Sequence, residues 1–188
     1  MLGGGMIRVA KKKIEIKLIY DTREKNPLKI KLDKDFKSDK IKICEVQTKC
    51  FKALGCKTST GDIGIEYKLD ENSRWKKTKL SIELKRNSDI FSTLYSSIKR
   101  FNRELKRVDD YGLDFYILHN WSFDDIKAHI VKLQNMRKLG YNTQPFIVFL
   151  NNYLQIAQKY AIICCGNNFE MIVRRIIKNY IIKNKLQY

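Results

Sequence analysis

The sequence predicts an α/β protein, a central mixed β-sheet flanked by α-helices on both faces, and three observations carry that prediction. Strand patterns alternate with helix patterns through the second half of the chain. Residues 113–118 and 160–165 read as short buried strands, the kind that helices cover from either side. The 188 residues contain no internal repeat and no dividing linker, so residues 11–188 fit one domain, in which a chain of this length buries ~70% of its unfolded surface. Residues 1–10 begin with Met-Leu-Gly-Gly-Gly-Met and are set aside as a flexible leader.

Taken in order, residues 11–20 place Ile14, Ile16, Leu18 and Tyr20 on one side of a strand and Glu15, Lys17 and Ile19 on the other, so one buried face is expected. The strand runs into Asp21-Thr22-Arg23-Glu24, and Pro27 bars a helix from extending back through that loop. A charged cluster at a strand's end is either a solvated loop or the edge of a site. Residues 28–60 stay undecided between helix and strand, since Ile41, Ile43, Val46, Phe51 and Leu54 fit either period.

A hairpin follows. Gly61-Asp62 opens a strand through Ile63, Ile65 and Tyr67, residues 70–74 turn, and residues 79–85 return. On the returning strand Leu80, Ile82 and Leu84 face one way while Ser81, Glu83 and Lys85 face the other. Ser88-Asp89 starts a helix whose Ile90, Leu94, Ile98, Phe101 and Leu105 recur at helical spacing, with Lys99, Arg100, Arg103, Lys106 and Arg107 on its opposite side. Such a stripe is usually a solvated face, but this one begins directly after the carboxylate strand, where it can meet phosphate. The strand over 113–118 ends at His119-Asn120. Ser122 and Asp125 then form a capping-box pattern that opens a helix to about Leu139, stopped by Gly140. A helix over 146–159, a buried strand over 160–165 and a helix from Asn167 to about Lys183, with Ile172, Val173, Ile176 and Ile177 inward, complete the chain.

Composition narrows the function. A net charge of +18 makes a polyanion such as nucleic acid the expected partner, although lysine is plentiful throughout. Five cysteines without CxxC or Cys/His spacing argue for reduced thiols rather than zinc. No apolar run approaches the ~20 residues of a membrane span, so an intracellular protein is expected. Phosphate-cradling glycine loops are missing, which leaves no small-molecule cofactor to expect, and the two histidines, His119 and His129, lie apart in sequence.

The 61–89 stretch carries the chemistry. Phosphodiester hydrolysis needs a cation, an activated water and stabilisation of the leaving oxygen. Mg²⁺ or Mn²⁺ takes hard oxygen ligands. A hairpin can bring Asp62 and Glu83 to one cation with the backbone carbonyl of Leu84 between them, and Lys85 on the Glu83 face can orient or help deprotonate water and bind phosphate. On spacing alone the same residues could be two solvated carboxylates and a counter-ion.

Asp21-Thr22-Arg23-Glu24, Gly61-Asp62, Glu83-Leu84-Lys85-Arg86-Asn87-Ser88-Asp89 and Lys99-Arg100-Phe101 resemble, in order, the D-x-R-E, G-D-Y, E-R-K-x-x-x-D and G-R-F motifs of the XPF-like nucleases. That family lies in the PD-(D/E)XK, restriction-endonuclease-like superfamily, and the resemblance covers roughly residues 14–178. It implies a restriction-endonuclease-like core and a Mg²⁺- or Mn²⁺-dependent DNA endonuclease acting on branched or structured DNA in repair, recombination or replication. Asp62 and Glu83 would be the principal metal ligands, Asp21 a further acid and Lys85 the catalytic lysine. Arg23 and Glu24 would shape the site or contact DNA, Arg86, Arg100 and Arg103 would contact DNA, and Asp89 would complete the acidic cluster or cap the helix. A homodimer is implied as well; the apolar C-terminal third could supply its face or could pack on the sheet.

Three positions depart from the pattern: Leu84 stands for arginine, Ile63 for an aromatic and Lys99 for glycine. No helix-hairpin-helix or helicase module accompanies the core, which favours a stand-alone bacterial or viral type. A catalytically silent DNA-binding subunit, or an exonuclease or junction resolvase of the same superfamily, are the alternatives.

Overall fold

The chain is described by a computed structural model covering residues 14–22, 41–70 and 72–186. The leader over 1–10, Arg23 and Glu24 lie outside the described residues. The first strand, β1 (Ile14–Tyr20), is buried along both faces rather than one: Ile16, Leu18 and Tyr20 enter the main core, while Ile19 joins a smaller cluster with Phe51 and Ala53. Even Lys17 is buried, its ammonium 4.4 Å from the Trp75 ring centre, so its aliphatic stem is covered while the charge meets a π face. Two-sided burial follows from position, because β1 lies between β2 (Ile41–Thr48), which pairs parallel to it, and β3 (Ile63–Lys68), which pairs antiparallel. The undecided segment thus contains a strand.

The hairpin expected over 61–85 is present as β3, a two-residue β4 (Lys76–Lys77) that pairs with β3, and β5 (Leu80–Lys85), with Ile63 opposite Ile82. Beyond β5 the sheet continues in parallel with β6 (Asp114–His119) and β7 (Ala161–Cys164). Among the described residues the sheet has seven strands in the order β2-β1-β3-β5-β6-β7, with β4 off this path. It is mixed, as expected.

Helices cover both faces. One carries α5 (Phe169–Lys183), whose Phe169, Val173, Ile176, Ile177 and Ile181 pack with Ile82, Leu84 and Leu118. Each such side chain contributes ~1.5–3 kcal/mol by leaving water. The Tyr180 hydroxyl accepts a bond from the Lys79 N–H (3.1 Å), fixing α5 to the start of β5. The other face carries α1 (Asp89–Tyr95), α2 (Ile98–Tyr111), α3 (Phe123–Asn135) and α4 (Gln144–Ala157), which share a second core of Phe91, Leu94, Phe101, Phe115, Ile117, Ile126 and Phe149.

Three expectations are corrected. The single helix after Ser88 is two, broken at Ser96-Ser97: Ser96 Oγ donates to the Ser92 carbonyl (3.0 Å), and the Ser97 N–H also reaches it (2.9 Å). Serine side chains and a wide, π-type turn here compete with the regular ladder. The helix expected to reach Leu139 ends at Asn135, although its capping box of Ser122 and Asp125 is present. Gln134 Nε2 donates to the Gly140 and Asn142 carbonyls, tying the exit loop to the last turn. Finally, β7 is half-exposed rather than buried, and Cys164 is exposed, because β7 is the last strand of the sheet.

Candidate active site

Local backbone constraints aim Asp62. Gly61 has φ +71°, and a Cβ built there would lie 2.4 Å from Ser81 Oγ and 3.0 Å from the Ile82 carbonyl oxygen. Only glycine permits this close approach in a left-handed conformation. The segment is then pinned on both sides. Asp62 N–H donates to the Ile82 carbonyl (2.8 Å), the Asp21 N–H donates to the Asp62 carbonyl (2.8 Å), and Ser81 Oγ donates to the Thr60 carbonyl (2.9 Å). One carboxylate oxygen, Asp62 Oδ2, accepts the Leu84 N–H (2.8 Å), which holds the side chain against β5 beside Glu83.

Glu83 and Lys85 share one face of β5 and form an ion pair, Nζ to Oε1 2.7 Å, with side chains 13% and 8% exposed. Asp89, on the first turn of α1, stands 3.6 Å from the same ammonium. Phe101 of α2 closes one side, 5.5 Å from Nζ to its ring centre. Burial pushes Glu83 above the usual carboxylate range, Lys85 opposes this, and Glu104 and Asp89 add to it. Burial alone would weaken Lys85 as a cation, but Glu83, Asp89 and Asp62 together hold its proton more tightly than usual. Negative charge is therefore crowded into a poorly solvated space.

That space is a cavity of about 400 Å³ between the 59–62 loop, the end of β5 and α2. Asp62, Glu83 and Lys85 line it, as do Arg100, Glu104 and Arg107 of α2. The sequence reading named Asp62, Glu83, Lys85 and Arg100, and the structure brings these four together. Asp89 reaches the same ammonium from the rim, half-exposed. Leu84 is buried with α5, so its side chain serves the core while its N–H orients Asp62.

Other expected members stand apart. Asp21 is 1% exposed and does not line the cavity; its Oδ2 accepts the Phe51 N–H (3.0 Å) and the Ser59 hydroxyl, so it anchors the loop that forms the cavity wall. Arg86 turns toward α5, its guanidinium 5.8 Å from the Phe169 ring centre. Arg103 is exposed on α2 outside the cavity. Sequence reading placed Arg107 in the phosphate-facing basic stripe without naming it as a site residue, and did not name Glu104. Their spacing from Arg100, four and seven positions, was the available signal, since it puts all three on one helical face.

Among the described residues no three aspartate, glutamate, histidine or cysteine side chains form a ready metal cluster. Mg²⁺ does not require one, because it keeps several waters and commonly takes one or two carboxylates plus substrate phosphate. Asp62 and Glu83, two carboxylates facing one cavity, fit that habit. The chain matches no family model, no curated protein and no solved structure. The resemblance to XPF-like nucleases accordingly rests on the motifs and their order.

Proposed function

We propose that this chain is a metal-dependent deoxyribonuclease of XPF-like type that hydrolyses phosphodiester bonds in branched or otherwise structured DNA. One observation supports this reading above the others. Two carboxylates and an ammonium from neighbouring strands meet in one cavity whose opposite wall is an arginine-bearing helix. Asp62 and Glu83 would hold Mg²⁺ or Mn²⁺, and when bound the ion would supply charge neutralisation at the scissile phosphate and an acidified water.

The protein's own groups do the rest. The Leu84 N–H keeps Asp62 turned toward Glu83. Lys85, held between Glu83 and Asp89, brings a positive charge to the phosphate and orients water beside it. Arg100 meets the backbone from α2. With a net charge of +18 the whole surface favours encounter with a polyanion.

Purified protein should cut labelled fork, flap or junction DNA with Mg²⁺ or Mn²⁺ and leave it intact in chelator. Substrates with blocked ends separate endonuclease from exonuclease action. Asp62→Asn and Glu83→Gln should bind the same DNA and cut it about 10²-fold more slowly. Undiminished cutting by either variant sinks the assignment, and binding without cutting by the unaltered chain indicates a silent DNA-binding subunit. Homodimerisation is read by light scattering of the same sample.

A further inference from the structure

Arg107 lines the candidate cavity, and its Nε–H is fully buried without a hydrogen-bond partner. Its guanidinium makes no ion pair among the described residues, although Glu104 precedes it by three positions on the same helix. Neither Arg100 nor Glu104 forms one there either. In the facing wall Thr60 Oγ1, on a residue 5% exposed, sits beside the Cys56 thiol but makes no hydrogen bond of ordinary geometry. Buried polar groups are almost always satisfied, so a guanidinium that lines a cavity with one donor orphaned and no carboxylate paired to it is short of an acceptor, which its outer N–H groups can take from the cavity.

Two of the cavity's three carboxylates are already engaged, and the third, Glu104, makes no ion pair with Arg107. Asp62 Oδ2 takes the Leu84 N–H, and Glu83 Oε1 takes the Lys85 ammonium. Seven positions of α-helix separate Arg107 from Arg100, ~10.5 Å along α2, far enough for the two guanidiniums to meet different phosphates of one strand. An acceptor of matching charge and shape is a phosphate diester, which a guanidinium takes in a forked, charge-assisted pair.

We infer that Arg107 binds a backbone phosphate of the DNA strand adjacent to the one at Asp62, Glu83 and Lys85, and so sets the strand's position in the cavity. This rests on the cavity taking DNA as proposed above. It is a substrate-anchoring role at a non-reacting phosphate, distinct from that of the carboxylates.

The test measures DNA binding by fluorescence anisotropy in chelator across a salt series, for the unaltered chain, Arg107→Met and Arg107→Lys. Arg107→Met should weaken binding about 10- to 100-fold and reduce the log–log salt slope by about one unit. Arg107→Lys, which keeps the charge without the fork, should restore the slope but only part of the affinity. A scan of neutral methylphosphonates along one strand should reveal one position that weakens the unaltered chain and leaves Arg107→Met unaffected. Urea midpoints serve as the control, since removing an unsatisfied donor should not lower stability. Unchanged affinity and slope in Arg107→Met, or equal sensitivity of both proteins at every scanned phosphate, overturns the inference. So does absence of DNA binding by the unaltered chain. Because the readout is binding, a chain that binds through Arg107 yet cuts nothing retains this inference and loses the nuclease reading.

Discussion

At Gly61 conformation and chemistry depend on the same atom's absence. A side chain there meets Ser81 Oγ and the Ile82 carbonyl, and φ +71° disfavours any Cβ. Gly61→Ala should therefore destabilise the fold by at least about 2 kcal/mol, combining ~1–2 kcal/mol for the left-handed backbone with the overlap. A urea midpoint lowered with its slope unchanged checks this. Cleavage should fall as well, because the Asp62 N–H and carbonyl bonds both leave from the next residue. Glu83→Gln removes charge without volume, and with it one of the two carboxylates proposed to hold the metal ion. If the loss is ~3 kcal/mol of transition-state stabilisation, turnover drops by about 10²-fold. Rates measured at saturating DNA and Mg²⁺ check this, and a change smaller than threefold counts against a ligand role. Asp21 behaves differently despite belonging to the same motif set. Its Oδ2 holds the Phe51 N–H and the Ser59 hydroxyl, so Asp21→Asn should lower stability as well as activity.

At the scale of elements, the capping box of α3 gives a clean test of local chemistry. Ser122 Oγ accepts the Asp125 N–H (3.1 Å), while Asp125 Oδ2 accepts the Ser122 N–H (2.8 Å). Ser122→Ala should cost about 1 kcal/mol, read from thermal or urea unfolding, with cleavage unaffected because α3 is remote from the cavity. This cap was legible in the sequence because both partners lie within one turn. So were β5 and the placing of Glu83 beside Asp62, since strand alternation alone puts Ser81, Glu83 and Lys85 on one face. What could not be read depends on neighbours far along the chain. β1 is buried on both faces because β2 and β3 flank it, and nothing in its own seven residues states which strands those are. The break between α1 and α2 was hidden because Ile90, Leu94, Ile98 and Phe101 keep a continuous helical rhythm across two serines. That break makes α2 a separate helix over the cavity, with Arg100, Glu104 and Arg107 on its inner face. Arg107 was hidden for a related reason, because a basic stripe looks the same from sequence whether a given member is solvated or turned inward.

For the whole molecule, 38 basic against 20 acidic residues would make the proposed DNA binding dominated by counterion release. Affinity should accordingly fall steeply and log-linearly with salt, for specific and non-specific DNA alike. Stability should show a second global dependence, on pH, because both histidines are held below their ordinary proton affinity. His119 is 3% exposed at the end of β6, with Nε2 3.4 Å from the Tyr153 hydroxyl of α4, Lys85 opposite it on β5, and the Cys165 N–H bonded to its carbonyl. Burial lowers it, opposed by a backbone bond at Trp121; His129 is lowered by burial and by Lys132. A folded-state value below the unfolded one, about 6.5, means the fold prefers the neutral ring. The stabilisation is complete above that unfolded value and is lost as pH falls below it. Glu83, held above the usual carboxylate range, works in the opposite sense, gaining stability as pH falls, so the profile of the unaltered chain is a sum. A difference profile isolates the histidine. Between pH 7.5 and 5.5 the urea midpoint of His119→Gln should fall less than that of the unaltered chain, and parallel profiles would show that the His119 ring titrates freely in the folded protein.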